Sequence, residues 1–279
     1  MIIQINSRKN YVYDKSGLMY TGASSKVYKA TDSSCNRTVC LKVTSYGGTK
    51  TTSAMLKAEA LALGNAGSAT TGVPCLIEYY DDMKSKSFYT VMQYIPGESL
   101  RTRMKAMGKR EFLNCIIRLC DILDAIHSRH IYHKDIKPEN IIITPWGEPY
   151  IIDFNISIAA PNLTDGTELY RAPEMKTGGL SVARSRSDIF ALGVMLYEYL
   201  TGSAPVSGVD YGAGAFSSAG SDWKYFTLPR EKNPSVSESL SLAVAKAMER
   251  NPEKRYKKAA ELRRELRNIL KERPANGQA

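Results

Sequence analysis

Three early stretches, residues 12–18, 26–30 and 38–43, are short runs rich in Val, Tyr and Thr, and they predict strands. Asp32-Ser33-Ser34, followed by Asn36, supplies a turn between the second and third. Residues 52–63 change to Ala, Met, Leu, Lys and Glu, which predicts one helix stopped by Gly64-Asn65. Residues 76–80 and 88–94 return to strand character, with polar residues 81–87 as the hairpin between them. Ile95-Pro96-Gly97 reads as a boundary, and beyond it the pattern turns helical. Phe112, Ile116, Leu119, Cys120, Leu123 and Ile126 fall on one face of a long amphipathic helix that ends near Arg129. Residues 141–144 and 150–152 are two short strands around Pro145-Trp146-Gly147. Residues 189–200 are apolar nearly all round, the mark of a buried central helix. Residues 207–221, rich in Gly, Ser and Ala, predict a mobile loop, and two more helices fit 239–249 and 257–271.

Composition adds limits. The 279 residues suffice for a substantial core, and the hydrophobic and charged fractions of 43% and 24% are those of a globular protein. The net charge of +10 is less ordinary. Residues 250–273 hold ten basic residues against four Glu. They would suit an acidic partner: nucleic acid, anionic lipid or an acidic substrate. The competing reading is a solvated helix face, because Leu262, Leu266, Ile269 and Leu270 have helical spacing. That reading is favoured, since Tyr256 is the one aromatic residue among the basic ones. The five cysteines (35, 40, 75, 115, 120) have no Cys-x-x-Cys pair, which argues against a zinc site or disulfide framework and for a reducing compartment. The N-terminus lacks a signal pattern and no apolar run approaches a bilayer span, so a soluble, cytoplasmic protein is expected.

The chemistry concentrates in His133-Lys134-Asp135-Ile136-Lys137-Pro138-Glu139-Asn140. This loop fits the pattern His-Arg-Asp-x-Lys-x-x-Asn, with Lys134 in place of Arg. Upstream, Val39-Cys40-Leu41-Lys42 matches Val-Ala-Ile-Lys. Downstream, Asp153-Phe154-Asn155 resembles Asp-Phe-Gly, and Gly166-Thr167-Glu168-Leu169-Tyr170-Arg171-Ala172-Pro173-Glu174 matches the end of an activation segment. With these motifs in this order, the chain resembles the eukaryotic-type (Hanks-type) serine/threonine protein kinase catalytic domain. The phosphate-covering loop is the weakest match: residues 20–27 keep only Gly22, though Ala23, Ser24 and Ser25 are small.

The resemblance implies an α+β, bilobal, protein-kinase-like fold: a small antiparallel β-sheet with one helix, then a larger, mainly α-helical lobe. It implies one kinase domain with an N-lobe at 1–94, a hinge at 95–97, a C-lobe at 98–272 and a tail at 273–279. It also implies roles. Lys42, paired with Glu59 on the following helix, would hold the nucleotide phosphates. Asp135 would accept or orient the proton of the attacking hydroxyl, with Lys137 near the γ-phosphate. Asn140 and Asp153 would ligate magnesium, or manganese in its place. Met19, Val27 and Cys40 would roof an adenine pocket over Ile142, with Met92 at the back and backbone groups of Gln93 and Ile95 at the edge. Glu174 would pair with Arg255, and Asp188 would bind the catalytic-loop backbone. The corresponding His133 is structural in the family. A metal site from the three histidines, His127, His130 and His133, is disfavoured because they would not share one helical face.

Lys137 and Thr167 favour Ser/Thr over Tyr as acceptor, so the expected reaction is transfer from Mg-ATP to protein hydroxyls, the chain's own included. The intact Ala172-Pro173-Glu174 weighs against a small-molecule kinase. The departures at Tyr20, Ser25, Lys134 and Asn155 keep an ATP-binding scaffold as the alternative. Lys134 offers a phosphorylated activation segment (Ser157, Thr164 and Thr167 are candidates) a point charge where Arg would grip it with two bonds, so weak dependence on such phosphorylation is expected.

Overall fold

The structure, a computed structural model, describes residues 2–5, 9–48, 51–154, 169–178, 184–205 and 226–272. Its first half is an antiparallel sheet of β1 (Ile2–Ile5), β2 (Lys9–Val12), β3 (Leu18–Thr21), β4 (Ser25–Asp32), β5 (Arg37–Ser45), β6 (Leu76–Asp82) and β7 (Ser87–Gln93). The strand order is β1-β2-β4-β5-β7-β6, with β3 also paired to β4. The two-residue period of β5 sends Val39 and Leu41 into a core with Tyr11, Tyr28 and Val91. Cys40 and Lys42 consequently face the other side of the sheet. Helix α1 (Ser53–Gly67) is capped by Thr52, whose hydroxyl accepts from the Met55 N–H at 3.3 Å. It packs Leu56 and Ala60 on Phe88.

The second half opens with β8 (Glu98–Ser99), which joins β9 (Ile141–Ile143) and β10 (Pro149–Ile151) in a small sheet. The rest is helical: α2 (Leu100–Arg103), α3 (Lys109–His127), α4 (Pro173–Gly178), α5 (Ser185–Thr201), α6 (Pro229–Lys232), α7 (Glu238–Ala247) and α8 (Ala259–Ile269). Helix α5 is buried continuously from Ser187 to Tyr197 and forms the axis on which α3, α7 and α8 pack. Phe112 of α3 stacks on Tyr199 at 3.9 Å. The result is bilobal, with the sheet above and the helices below. Gly97 lies between the lobes at φ +148°, where a Cβ would stand 2.2 Å from the Ile143 carbonyl oxygen. Only glycine lets the linking chain lie this close to β9.

Two expectations are corrected. Residues 12–18 are not one strand: the Asp14 carboxylate accepts from the N–H groups of Ser16 (2.9 Å) and Gly17 (3.1 Å). That cap closes a 3-10 turn at Lys15–Gly17 and divides the stretch between β2 and β3. Helix α1 also runs through Gly64-Asn65 to Gly67. Ala66 extends the buried face of Leu56, Ala60 and Leu63, and packing outweighs the poor helix propensity of glycine. The loop expected at 207–221 lies outside the described residues. Among the described residues no helix is long and apolar enough to cross a membrane. Leu262, Leu266 and Ile269 of the basic C-terminal stretch are buried, while Arg263 bonds to Asp121 and Arg267 lies 3.5 Å from the same carboxylate.

Candidate active site between the lobes

Lys42 reaches the cleft because β5 turns it there. Its Nζ donates to Glu59 Oε1 at 2.9 Å and to Asp153 Oδ1 at 2.6 Å. Glu59 is delivered by α1, whose first residue, Ser53, donates to the Asp81 carboxylate on β6; Tyr46 donates to its other oxygen. Burial alone would lower the pKa of the Lys42 ammonium, but Asp153 and Glu59 outweigh it and hold its pKa above the ordinary lysine value. Lys42 in turn draws the Asp153 carboxyl below its usual range, against the effect of burial.

The catalytic loop is fastened from below. The N–H groups of His133 and Lys134 donate to Asp188 Oδ2 (3.0 Å) and Oδ1 (2.9 Å). His127 Nε2 lies 2.8 Å from the same Oδ2. Asp188 is buried, which raises its pKa, yet His127, His133 and the Lys134 N–H reverse that and hold it low. Lys134 (φ +69°) and Asp153 (φ +63°) have left-handed backbones, a conformation that costs about 1–2 kcal/mol each. The Asp188 bonds hold the first in place. His133 is fully buried, with Nε2 3.0 Å from the Ile152 carbonyl oxygen and its ring edge-on to Phe154. The three histidines therefore serve separate places, with His130 exposed.

Asn140 Nδ2 donates to Asp135 Oδ2 at 2.9 Å and to the Asp135 carbonyl at 2.8 Å. Lys137 Nζ stands 3.2 Å from Asp135 Oδ2. Burial raises the Asp135 pKa, and Lys137 opposes the shift. The antiparallel pairing of Ile141 with Ile151 continues one step, as the Ile152 N–H donates to the Asn140 carbonyl at 2.9 Å. It sets Asn140 opposite Ile152, the residue before Asp153. Both N–H groups of the Asn140 amide are engaged, so its oxygen is the atom it can turn to a cation. Together with the Asp153 carboxylate this is a set of hard oxygen donors, which fits magnesium.

Four of the expected adenine-pocket residues are placed by strand pairing. Val27 pairs with Lys42 across β4–β5, Cys40 with Met92 across β5–β7, and Ile142 with Tyr150 across β9–β10. Val27, Cys40, Met92, Ile95 and Ile142 are half-buried, whereas Met19 and Gln93 are exposed. Burial pushes the Cys40 thiol up to about 12, so it lines the site as an apolar group. Two backbone groups are already committed. The Gln93 N–H donates to the Cys75 carbonyl at 2.9 Å, and the Gly22 N–H to that of Ser25 at 2.8 Å. Gly22 therefore contributes close approach and not its own N–H. Asn155, Ser157, Thr164 and Thr167 lie outside the described residues.

Below the site, Arg255 forks onto Glu174, with NH1–Oε1 at 2.8 Å and NH2–Oε2 at 2.7 Å, and Ser187 adds a bond to Oε1 at 2.7 Å. Sequence reasoning missed His127 as a partner of Asp188, the Asp81 tie on α1, and a cluster of Arg101, Glu139, Tyr170 and Glu198. Arg101 and Glu198 belong to none of the motifs read in the sequence.

Comparison with known proteins identifies the family and the fold. The protein kinase domain family model matches residues 13–266, and the chain belongs to that family. Similar curated proteins include serine/threonine-protein kinase PknB of Mycobacterium leprae, 28% identical over 278 residues that cover 94% of this chain and 43% of that protein. Serine/threonine-protein kinase PrkC of Bacillus subtilis is 32% identical over 209 residues, covering 71% and 31%. The chain thus spans less than half the length of these relatives. The kinase domain of Mycobacterium tuberculosis PknI superposes with a TM-score of 0.70 over 93% of this chain and 95% of that one. At 17% identity that likeness concerns the fold.

Proposed function

We propose that the chain is a serine/threonine protein kinase that transfers the γ-phosphoryl group of Mg-ATP to protein hydroxyls, its own among them. The observation that carries this reading is Lys42 bonded at once to Glu59 and Asp153, with Asn140 holding Asp135 alongside. Lys42 holds the nucleotide phosphates, and Glu59 keeps it extended into the cleft. Asp135 orients the acceptor hydroxyl and takes its proton, while Lys137 sets a positive charge beside the transferring group. Asn140 and Asp153 would hold magnesium, which would supply positive charge to offset that on the phosphate oxygens. Val27, Cys40, Met92 and Ile142 exclude water around the adenine, with Met19 at the rim, and backbone groups of Gln93 and Ile95 meet its edge. Lys137 and the names of the relatives favour Ser or Thr as acceptor. Five unpaired cysteines support a reducing, cytoplasmic setting for this domain.

The test is γ-labelled ATP with a generic basic protein acceptor, comparing the wild-type chain with Asp135→Asn. Loss of the base is expected to lower transfer about 10²–10⁴-fold with ATP binding retained. Equal labelling by both proteins would point to a contaminating kinase. Labelling by neither, with ATP still bound, would favour an ATP-binding scaffold.

A further inference from the structure

Glu139 follows Asp135 by four residues in the catalytic loop, and its Oε1 accepts from Arg101 Nε at 2.6 Å. Arg101 comes from α2. Its NH1 donates to Glu198 Oε1 on α5 at 2.6 Å, and its NH2 donates to the Tyr170 hydroxyl. That hydroxyl donates in turn to the second oxygen of Glu198. One guanidinium is thus clasped by two carboxylates and a phenol from three separate elements. Planar, forked recognition of this kind is what distinguishes arginine from lysine as a ligand.

The position of the clasp matters more than its strength. Glu139 adjoins Asn140, whose amide bonds the Asp135 side chain. Tyr170 stands three residues before Pro173, on the segment that leads from Asp153 to α4. Tyr170 and Asp135 line one small pocket, so a polypeptide that presents a hydroxyl to Asp135 would pass beside this corner. The clasp is open on that side, where the Glu139 side chain is 47% exposed, and tighter at Glu198, which is 18% exposed. On the far side, Arg101 and Glu198 line a cavity of about 500 Å³ with Met104 and Met107, so Arg101 has room to turn away.

Resting on the kinase reading, we propose that Arg101 is a specificity-determining residue. It fills, from within the chain, a two-carboxylate subsite of the peptide groove. It thereby cancels the preference for arginine beside the acceptor hydroxyl that Glu139 and Glu198 would otherwise impose. Without Arg101 the subsite carries two uncompensated negative charges at hydrogen-bonding positions, and a substrate guanidinium is the group that satisfies them.

The experiment uses peptides with a single serine acceptor in an alanine-glycine frame, with one arginine walked through the positions on either side. They are assayed against the wild-type chain, Arg101→Ala and the double variant Arg101→Ala/Glu198→Gln. Wild type is expected to discriminate less than about threefold across the set, while Arg101→Ala favours one arginine position about tenfold through KM. The double variant loses that gain. Fluorescence anisotropy with the same labelled peptides gives the ranking without catalysis. If Arg101→Ala does not fold, Arg101→Gln takes its place, since it keeps hydrogen bonds and removes the charge. A folded variant with no gain in anisotropy, or a wild type that already prefers arginine, would overturn the proposal. Peptide discrimination in anisotropy without phosphoryl transfer by any form would uphold the subsite and remove the kinase reading instead.

Discussion

Lys42→Met is expected to lower kcat/KM for protein phosphorylation about a hundred- to a thousandfold, with the fold retained. The effect follows from what the ammonium does in the cleft. It is fixed between Glu59 and Asp153 at hydrogen-bond distance, and their negative charge keeps it protonated in spite of burial. A fixed positive charge in a site shielded from water needs no reorganisation when charge shifts on the phosphates, and removing one such group elsewhere costs about 3–4 kcal/mol of barrier. Methionine keeps the length of the stem, so packing against β4 and β7 changes little. The loss belongs in kcat/KM measured at fixed magnesium, with circular dichroism checking the fold. A variant within about threefold of wild type would mean that Lys42 does not act on the phosphates.

Arg255→Ala is expected to act on stability instead, lowering Tm by about 10 °C. The Arg255 side chain is fully buried, bonded to both oxygens of Glu174 and stacked over Phe190 at 4.8 Å. Its removal leaves the Glu174 carboxylate without its cation in the helical lobe, a change that costs about 3–5 kcal/mol. In a domain of this size each kcal/mol moves Tm by about 2–4 °C. Arg255→Lys should recover only part of the loss, because an ammonium cannot make two parallel bonds. The pair also carries a pH dependence. Burial raises the Glu174 pKa, but Arg255 and Ser187 lower it further, so the folded value lies below the unfolded one. The stabilisation is therefore complete above about pH 4.3 and lost as pH falls through the depressed folded pKa. Thermal melts between neutral and acid pH should show wild type losing more stability than Glu174→Gln. Parallel curves for the two proteins would mean that the pair contributes nothing.

The sheet strands from β4 onward and the central helices were legible because their residue types matched the period the fold requires, and Lys42 could be assigned to a strand for that reason. The catalytic loop was legible differently, through the spacing of Asp135, Lys137 and Asn140. That spacing says which side chains share a short loop and nothing about what fastens it. The anchoring of the loop by Asp188 came from resemblance, and the added contact from His127 came from neither source, since 61 residues separate the partners. Local rules failed where tertiary contacts or a short cap outweighed them. Gly64 did not stop α1, because Ala66 had a buried face to join. Asp14 broke an apparent strand with two hydrogen bonds that composition does not register. The cluster around Arg101 was invisible for a further reason: an arginine on a short helix and a glutamate on a buried one look like solvent residues until the fold puts them together.

The most direct test of the central claim is a crystal structure with magnesium and a non-hydrolysable ATP analogue. The account predicts the metal about 2.1 Å from the Asn140 amide oxygen and an Asp153 carboxylate oxygen. It also predicts Lys42 Nζ in hydrogen-bond contact with the phosphates and the terminal phosphate facing Asp135. A nucleotide bound outside the interlobe cleft, or a metal held without Asn140 and Asp153, would contradict it.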